Sequence, residues 1–467
     1  MARIKLAYCP TRRDVFSREE AMKFNEEIRR QMDKFPVDIV DLEGINEEKL
    51  LYRDEDIPAV IDRFMAEKVD AIFVPHCNFG SENRVAQVAK ALRVPLLLWG
   101  PRDDFPDKDG LRSRDSQCGM FATGKVLRRH NIPFTYLTNS WIGSEEFFSG
   151  MEKFIRTVSV VKAIKNLNIL QISTRPEPFC SVICNENELI EKFGVHLYPI
   201  TLNDLVVKMK KVQEENSDDL QNTVRRIKEI GTDESEDKIL KVASLKVAMK
   251  ELAKQYHCRA VAIQCWTSLQ DIADIMPCCA NALLTDEGVP VVCETDIHGA
   301  ISAIMMQAAT MEESTPFFAD VTVRHPENDN AELLWHCGNF PYSLVKDKKN
   351  AKIGNSRYHN NTYGICEWEL KPGELTIARF DGDHGKYSLL IGEAHTTDGP
   401  KNVGSYVWIE VDNWAKWEHK IVEGPYIHHV SGAYGKYAEI LFEACKYIPE
   451  LEPDPLLPRE EIEARWR

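Results

Sequence analysis

Acidic and imidazole side chains follow three apolar, strand-like runs in the second half of the chain. The run "VPVVC" leads into Glu294 and Asp296, "PFFAD" ends on Asp320, and "LLWH" ends on His336. Such runs predict buried parallel strands, and ligands of open α/β sheets bind at the carboxyl ends of strands. Carboxylate and imidazole ligands together suit a hard divalent metal ion. The sequence therefore predicts a metal site that contains Glu294, Asp320 and one or more histidines.

Asp296 has two interpretations at this stage. It directly precedes the helical pattern "IHGAISAIMMQAA", and an aspartate in that position commonly accepts hydrogen bonds from the first helical turn. It could therefore be a helix cap only, or it could also belong to the site. The sequence gives the two interpretations equal weight.

Other histidines are candidates for a further ligand. His428 and His429 in "YIHHVSG" lie at a predicted strand end. Neighbouring side chains of an extended segment point in different directions, so only one of the two is expected to face the site. His298 could support a ligand from behind. His384 and His395 lie in predicted hairpins and are expected to be structural or exposed.

This set of residues favours one kind of chemistry. A divalent ion with open positions polarises a carbonyl and stabilises a developing enediolate, and a neighbouring carboxylate can move a proton between adjacent carbons. Aldose–ketose isomerisation requires both. The chain has neither a Walker A motif nor an N-terminal GxGxxG motif, which disfavours phosphoryl or hydride transfer from a nucleotide.

Strand and helix patterns indicate how these residues are positioned. The first 165 residues alternate strand-like and helical segments, and a second alternation begins at "LNILQIST". Such alternation is typical of parallel sheets covered by helices. After residue 322, alternating strands with glycine-containing turns predict a barrel-like domain. The predicted fold is α/β, with two tandem Rossmann-like doubly wound domains followed by a C-terminal antiparallel β-barrel-like domain. The predicted boundaries are 1–165, 166–322 and 323–467.

Composition excludes several classes of partner. The chain has 467 residues and a net charge of −15, which argues against nucleic acid or an anionic membrane as a partner. No run approaches the roughly 20 apolar residues of a membrane span, and the N-terminus lacks the apolar region of a signal peptide. A cytoplasmic location is expected. The 13 cysteines are scattered without paired CxxC motifs, so free buried thiols are expected rather than a structural zinc site.

Polar loops after several strands are candidates for binding a substrate. "TRRDVFS" follows the first strand, and "PHCNFGSEN" and "LLLWGPRDD" each join a strand to a polar turn. Loops on an α/β scaffold often determine specificity, although ordinary surface loops have a similar composition. The predicted substrate-binding residues are Arg12, Arg13, Asn78, Trp99, Gln264 and Trp266.

Several segments resemble one known superfamily. "CETDIHGA", "FADVTV", "LWHCGNFP" and "NFGSEN…PLLLWGPRDD…DSQCG" are similar to the L-fucose isomerase and L-arabinose isomerase superfamily, and within it to the fucose isomerase-like branch. The resemblance covers nearly the whole chain. It implies two Rossmann-like domains, a C-terminal barrel-like domain, and interconversion of aldoses and ketoses through an enediol. It also implies Mn²⁺ as cofactor, with Co²⁺ or Mg²⁺ as possible substitutes.

The resemblance assigns roles to individual residues. It implies that Glu294 and Asp320 bind the metal and also move the proton. It implies His429 as a metal ligand, and His336 matches an additional histidine of the arabinose branch. It further implies a homo-oligomer, a trimer or hexamer, in which the N-terminal domain of a neighbour completes the sugar pocket. The chain is shorter than typical L-fucose isomerases, so the particular sugar stays open.

Two other classes of protein share part of this pattern. A non-catalytic sugar-binding protein would also have tandem Rossmann-like units, but it would not need the carboxylates and histidines at the strand ends. A glycosidase would use two carboxylates, but it would not need the histidines. Dependence on a metal ion separates the isomerase from both alternatives.

Overall fold

The apolar runs of the first 140 residues form a parallel five-stranded sheet with the order β2-β1-β3-β4-β5. This order and the helices between the strands are typical of flavodoxin-like doubly wound folds. The strands are β1 (Ile4–Tyr8), β2 (Val37–Val40), β3 (Ala71–Pro75), β4 (Leu96–Trp99) and β5 (Thr135–Tyr136). The helices are α1 (Arg18–Met32), α2 (Ile57–Ala66), α3 (Glu82–Leu92), α4 (Ser116–Arg129) and α5 (Glu145–Ile164).

A second parallel sheet has four strands in the order β7-β6-β8-β9. Its strands are β6 (Asn168–Ile172), β7 (His196–Ile200), β8 (Ala260–Ile263) and β9 (Val291–Val292). The helices of this region are α6 (Glu186–Glu188), α7 (Leu202–Glu215), α8 (Asp218–Ile230), α9 (Glu236–Gln255), α10 (Ser268–Ala273), α11 (Cys278–Asp286) and α12 (Ile297–Ala309). The two predicted Rossmann-like sheets are therefore present.

The C-terminal region contains a closed six-stranded antiparallel barrel with the order β16-β11-β10-β17-β14-β15, which pairing between β15 and β16 closes. The barrel strands are β10 (Phe317–Arg324), β11 (Ala331–His336), β14 (Glu374–Asp383), β15 (Lys386–Thr397), β16 (Ser405–Glu410) and β17 (His429–Tyr434). Strands β12 (Lys352–Asn355), β13 (Tyr363–Glu369) and β18 (Leu451–Pro455) extend it. Helices α13 (Trp414–Glu423), α14 (Ala438–Cys445) and α15 (Arg459–Ala464) complete the fold.

One prediction about the strands was wrong. Asp320 lies inside β10, which pairs antiparallel with its neighbours, and not at the end of a parallel strand. His336 does end its strand, but β11 is also antiparallel. A short apolar run gives the burial of a strand and not the direction in which it pairs.

The computed structural model describes residues 3–466, which divide into two compact units. The first extends to Lys162 and includes the residues from Arg459 onward, and the second is Ala163–Pro458. Within the second unit, one continuous apolar core joins the four-stranded sheet to the barrel. Every residue of α12 is buried, as expected for a helix that is apolar on all sides.

Two further findings concern the whole described chain. Among residues 3–466, no helix combines the length and apolar content needed to cross a membrane. All thirteen cysteines are free thiols, and most are buried. The prediction of free, buried thiols is therefore largely confirmed, although Cys118 and Cys180 are exposed.

Candidate metal and catalytic site

The second unit brings the four predicted ligand side chains together. His336 Nε2 lies 3.6 Å from Glu294 Oε2 and 3.9 Å from Asp320 Oδ1. His429 Nε2 lies 3.9 Å from Glu294 Oε2 and 3.4 Å from Asp320 Oδ1. Two carboxylate oxygens and two imidazole nitrogens thus converge on one small volume.

Three of these converging atoms have no hydrogen-bond partner among the described residues. They are Glu294 Oε2, Asp320 Oδ1 and His336 Nε2, and all three are buried. Buried polar atoms are nearly always paired in native proteins, so a cluster of unpaired ones requires an explanation. The donor set of carboxylate and imidazole fits a hard divalent ion such as Mn²⁺.

The barrel register explains how two of the ligands come to face each other. Asp320 of β10 stands directly opposite His429 of β17, and residues opposite each other on adjacent antiparallel strands project on the same face. On the other side of β10, Asp320 pairs with Trp335, so His336 is one residue further along β11. Three adjacent barrel strands therefore supply three of the four side chains.

Glu294 comes from the parallel sheet and is held on one side only. Its Oε1 accepts hydrogen bonds from Cys265 Sγ and Trp266 Nε1, both at 3.1 Å, which leaves Oε2 facing the histidines. Glu294 and Thr295 both have a left-handed backbone, with φ of 54° and 55°, which residues other than glycine adopt uncommonly. This turn carries the chain from β9 into α12 and aims Glu294 at the barrel.

Of the two thiols behind Glu294, Cys265 donates to the carboxylate, and Cys293 accepts from the side-chain amides of Asn281 and Asn339. Burial raises the pKa of Cys265 well above its usual value. A hydrogen bond with Cys265 lowers the pKa of Cys293, but burial and the neighbouring acidic groups, Glu294 among them, together raise that pKa to about 12. Both thiols therefore keep their protons at neutral pH. Cys265 can anchor Glu294 without adding a second negative charge.

The charges of the site stabilise one another. Burial alone would raise the pKa of Glu294, but His336 and His429 lower it to about 2. Burial would lower the pKa of His336, yet Asp320 and Glu294 raise it well above its usual value. In the absence of an ion, the site therefore favours a charged carboxylate beside a charged imidazole.

Asp296 serves in both of the ways that the sequence allows. Its Oδ1 accepts a hydrogen bond from the backbone N–H of Gly299 at 2.9 Å, which caps α12. Its Oδ2 lies 2.9 Å from His429 Nδ1, and Arg379 contacts both carboxylate oxygens. Burial would raise the pKa of Asp296, but Arg379 and His429 hold it well below its usual range. Asp296 is thus a cap and also a partner of a predicted ligand.

Arg379 continues this network away from the predicted ligands. Its Nε donates to Asp381 Oδ2 at 2.8 Å, and Asp381 Oδ1 lies 2.8 Å from His298 Nδ1. The Arg379 side chain is 0% exposed. His298, which the sequence placed behind a ligand, is therefore separated from His429 by three intervening side chains.

Aromatic side chains and a second histidine border the cluster. The ring of His428 lies 4.4 Å from that of His429 and is half-buried, and Phe179 stacks on His429 with 5.9 Å between ring centres. One potential ligand atom from each of Asp320, His428 and His429 lies within 4.8 Å of the other two. The geometry therefore puts both histidines of the pair beside Asp320, while only His429 has its Nδ1 held by a carboxylate.

Two predicted substrate-binding residues lie in the same unit as this cluster. Trp266 is half-buried and donates to Glu294, so its ring borders the cluster. Gln264 follows β8, and its side-chain oxygen accepts a hydrogen bond from Ser173 Oγ at 2.8 Å. Trp266 therefore has a direct contact with a predicted ligand, and Gln264 has a partner elsewhere.

The other four predicted substrate-binding residues lie in the first unit. The guanidinium of Arg12 is buried against Glu48 and Tyr52, and Asn78 is fully buried. Trp99 is 0% exposed and donates to Ser140. These three side chains have internal partners and hold the loops in place.

Arg13 differs from the other three residues of that group. It donates to Gly80 O at 3.0 Å and stands over the ring of Phe79 at 4.2 Å. Its side chain remains 35% exposed. Of the residues predicted for substrate binding in the first unit, Arg13 therefore keeps the most accessible charge.

The histidines predicted to lie in hairpins do so. His384 is exposed in the turn between β14 and β15, and His395 is exposed on β15 beside Glu410. Arg379 and Asp381, which both lie within barrel strand β14, were not predicted from the sequence. Their signal was present in "TIARFDGD", where Arg379 and Asp381 stand on either side of Phe380 in a strand-like run.

Comparison with known proteins agrees with the architecture. The family model described as the fucose/sulfoquinovose isomerase N-terminal domain matches residues 7–165, and the one described as the L-fucose isomerase C-terminal domain matches residues 334–449. The first match covers most of the five-stranded sheet and all five of its helices. The second covers most of the barrel, including the segments with His336 and His429.

Curated relatives match over most of the chain. A sulfoquinovose isomerase of Priestia aryabhattai is 25% identical over 408 residues, which is 86% of this chain and 89% of the relative. The sulfoquinovose isomerase of Alkalicoccus urumqiensis is 26% identical over 74% of this chain and 77% of its own length. That of Clostridium sp. (strain MSTE9) is 24% identical over 86% of this chain and 87% of its own length. Together with the two domain matches, these relatives confirm the predicted resemblance: the chain belongs to the fucose isomerase-like family of aldose–ketose isomerases.

Proposed function

We propose that the chain is a metal-dependent sugar isomerase that works through an enediol intermediate, with Mn²⁺ as its cofactor and Co²⁺ or Mg²⁺ as possible substitutes. The supporting observation is the convergence of three unpartnered buried ligand atoms on one point beside His429 Nε2. Glu294, Asp320, His336 and His429 would hold the ion. When bound, a divalent ion polarises the sugar carbonyl and stabilises negative charge on the enediolate oxygens.

The two carboxylates differ in their access to a sugar. The side chain of Asp320 is 18% exposed, whereas that of Glu294 is 6% exposed and anchored at Oε1. We assign proton transfer to this pair, with Asp320 as the member that reaches the sugar more easily. In the reaction, the C–H bond beside the carbonyl breaks and its proton passes to the carboxylate. The carboxylate then gives the proton to the former carbonyl carbon, a hydroxyl proton moves between the two oxygens, and no net oxidation occurs.

The half-buried side chains around the ligands define the walls of the proposed sugar site. Trp266 and Phe179 present aromatic surface, and their rings are 5.7 Å apart at a steep angle. Aromatic faces pack well against the C–H surface of a sugar and exclude water from the reacting carbons. His428 adds a polar group beside Asp320.

The curated relatives suggest the first substrate to test. Because these relatives are sulfoquinovose isomerases, we propose sulfoquinovose, a sugar with a sulfonate group, as the candidate substrate. Arg13 is the partly exposed guanidinium suited to an anionic substituent. D-Quinovose, the same 6-deoxyglucose without the sulfonate, is the matched comparison.

We also propose that the active form is a homo-oligomer of three or more chains, in which the N-terminal loops of one chain complete the sugar pocket of another. Mixing two inactive variants tests this arrangement. Arg13→Met in one chain and Glu294→Gln in the other should regain activity after co-refolding, because some sites would then combine an intact Arg13 with an intact Glu294. An active monomer by light scattering at the assay concentration would contradict the proposal.

The isomerase proposal is tested by metal removal and replacement. Protein stripped with EDTA should lose isomerisation of sulfoquinovose and regain it with Mn²⁺. A sugar-binding protein and most glycosidases would be unaffected by the same treatment. Full activity after exhaustive chelation, with no metal found by elemental analysis, would refute metal dependence.

The enediol route is tested by the fate of the transferred hydrogen. Between removal and return, the proton resides on a carboxylate that is partly open to solvent, so it can exchange with water. Isomerisation in D₂O should place deuterium on the carbon that receives the proton. A product formed at full rate without solvent deuterium would indicate a hydride shift and would leave Glu294 and Asp320 as ligands only.

A further inference from the structure

Asp296 connects the predicted ligand His429 to a buried ion pair. His429 Nδ1 lies 2.9 Å from Asp296 Oδ2, and Arg379 Nη2 donates to Asp296 Oδ1 at 3.1 Å. Arg379 Nη1 contacts the same oxygen as His429 does. The three side chains are at most 1% exposed. Because this contact is fully desolvated, each of its polar atoms must find its hydrogen-bond partner among the three side chains and the backbone around them.

The contact determines which nitrogen of His429 carries hydrogen. A charged carboxylate can only accept hydrogen bonds, so the hydrogen of a neutral His429 must be on Nδ1. Its Nε2 then presents a lone pair on the side where Glu294 Oε2 and Asp320 Oδ1 lie, at 3.9 and 3.4 Å. That is the tautomer and the direction that a metal ligand requires.

The carboxylate of Asp296 is itself held from several sides. Besides Arg379 and His429, it accepts from the backbone N–H of Gly299. Arg379 is braced at its other edge by Asp381, whose second oxygen contacts His298. Rotation of the Asp296 side chain would break contacts with helix α12 and with strands β14 and β17 together. The network therefore fixes the position of His429 and not only its tautomer.

We infer that Asp296 and Arg379 are positioning residues that set the tautomer and orientation of His429, and through it the affinity of the site for its metal ion. The inference rests on the proposed function, since it takes His429 as a ligand. Partners that orient a ligating histidine typically change metal affinity by about 10–100-fold when they are removed.

Asp296→Asn tests the inference with little change of shape. If the NH₂ group of the new asparagine faces Gly299 N and Arg379 Nη2, it meets two donors that cannot become acceptors. If it faces His429 instead, the imidazole can accept at Nδ1 and move its hydrogen to Nε2. The second arrangement leaves fewer donors opposed, and it places a hydrogen on the nitrogen that would bind the ion.

Two measurements detect this change of the His429 tautomer. Competition with a chelator should show Mn²⁺ bound about 10–100-fold more weakly by Asp296→Asn than by the unmodified chain. Long-range ¹H–¹⁵N spectra of metal-free, histidine-labelled protein, recorded at a pH at which His429 is neutral, should show its hydrogen on Nδ1 in the unmodified chain and on Nε2 in the variant. His429→Gln assigns the signal. A purely structural role of Asp296 would lower thermal stability and leave both readouts unchanged.

Ser302→Ala is the matched control. Ser302 Oγ accepts from Phe380 N and donates to His298 O, both at 2.8 Å, so it joins the same helix and strand without touching His429. This variant should lose thermal stability and keep both the Mn²⁺ affinity and the tautomer. Arg379→Lys, which keeps the charge but not the forked donors, is judged by the same readouts if Asp296→Asn does not fold.

Failure of the inference and failure of the proposed function look different. Unchanged Mn²⁺ affinity and an unchanged tautomer in a folded Asp296→Asn protein would overturn the inference alone. A neutral His429 with its hydrogen on Nε2 and none on Nδ1 in the unmodified, metal-free chain would overturn it as well. An unmodified chain that binds no Mn²⁺ would overturn the metal proposal, and the histidine spectra would still decide whether Asp296 sets the tautomer.

Discussion

Polar residues follow strands in both units of the molecule, but their hydrogen bonding differs. In the first unit, Asn78 bonds to backbone groups on its own and a neighbouring loop, and Trp99 donates to a serine hydroxyl. In the second unit, Glu294 and His336 each turn a buried polar atom toward the other and leave it without a partner. Asn78 and Trp99 are therefore part of a hydrogen-bonded scaffold, whereas Glu294 and His336 form part of an incomplete coordination shell.

This difference indicates where a ligand belongs. A buried polar group without a partner costs about 1–3 kcal/mol, so several such groups at one point are stable only if something else satisfies them. In the first unit, the side chains of Asn78 and Trp99 already have hydrogen-bond partners and require no ligand. The contribution of the loops of this unit to a sugar site would come from side chains that remain partly exposed, of which Arg13 is the example.

The largest expected effect comes from neutralising the two acids of the second unit. Glu294→Gln and Asp320→Asn keep size and remove charge, so each should lower kcat at least about 100-fold, the scale of general acid–base catalysis. Steady-state kinetics with saturating Mn²⁺ measure this loss. A variant that keeps more than a tenth of the activity would show that its carboxylate does not move the proton.

The histidines should separate by their effect on metal binding. His429→Ala removes a nitrogen that Asp296 holds in place. The half-buried ring of His428 has no such carboxylate partner at Nδ1, so His428→Ala should weaken Mn²⁺ binding less than His429→Ala does. His336→Ala removes one of the unpartnered atoms and should also weaken binding. Isothermal titration with Mn²⁺ gives the order. If His428→Ala proves the most damaging, the ligand was assigned to the wrong member of the pair.

The hydrogen-bonded scaffold of the first unit should respond to substitution with stability and not with metal affinity. Asn78 accepts from Arg13 N at 2.8 Å and from Gly80 N at 3.2 Å, so Asn78→Ala leaves buried donors unpaired and should cost about 1–3 kcal/mol. Urea denaturation measures this cost. Asn78→Asp keeps the acceptor oxygen but sets a charged oxygen against the carbonyls of Arg13 and Ser17, so it should also destabilise the fold. A tenfold loss of Mn²⁺ affinity in Asn78→Ala would contradict the contrast between the regions.

The sequence allowed the fold class and the convergence of the acids and histidines to be predicted, because each lies beside a recognisable apolar run. The direction of the strand that contains Asp320 could not be predicted from the sequence, because pairing depends on contacts with distant strands such as β17. Arg379 was missed for the same reason. An arginine in the middle of a strand looks unfavourable until Asp296, 83 residues away, is seen to neutralise it.

Glu332 sharpens the comparison because it has an unpartnered atom outside any cluster. It lies on β11, is 3% exposed, and its Oε2 has no hydrogen-bond partner among the described residues. Burial raises the pKa of Glu332 to about 7, with Glu418 adding to the shift and Arg324 opposing it. Protonation removes the charge of an isolated buried carboxylate such as Glu332. The several unpaired atoms around Glu294 instead suit a shared metal ion.

The smallest predicted effect follows from that pKa. Because the folded pKa is raised above the ordinary value of 4.5, the folded state binds the proton more tightly than the unfolded chain. The resulting stability is fully present below pH 4.5 and is lost as the pH rises through about 7. Glu332→Gln, which is neutral at every pH, should therefore raise the melting temperature by a few degrees at pH 8 relative to the unmodified chain and change it little at pH 5. Calorimetry at both values measures the difference, and equal shifts at the two pH values would show that Glu332 is not a buried, proton-holding acid.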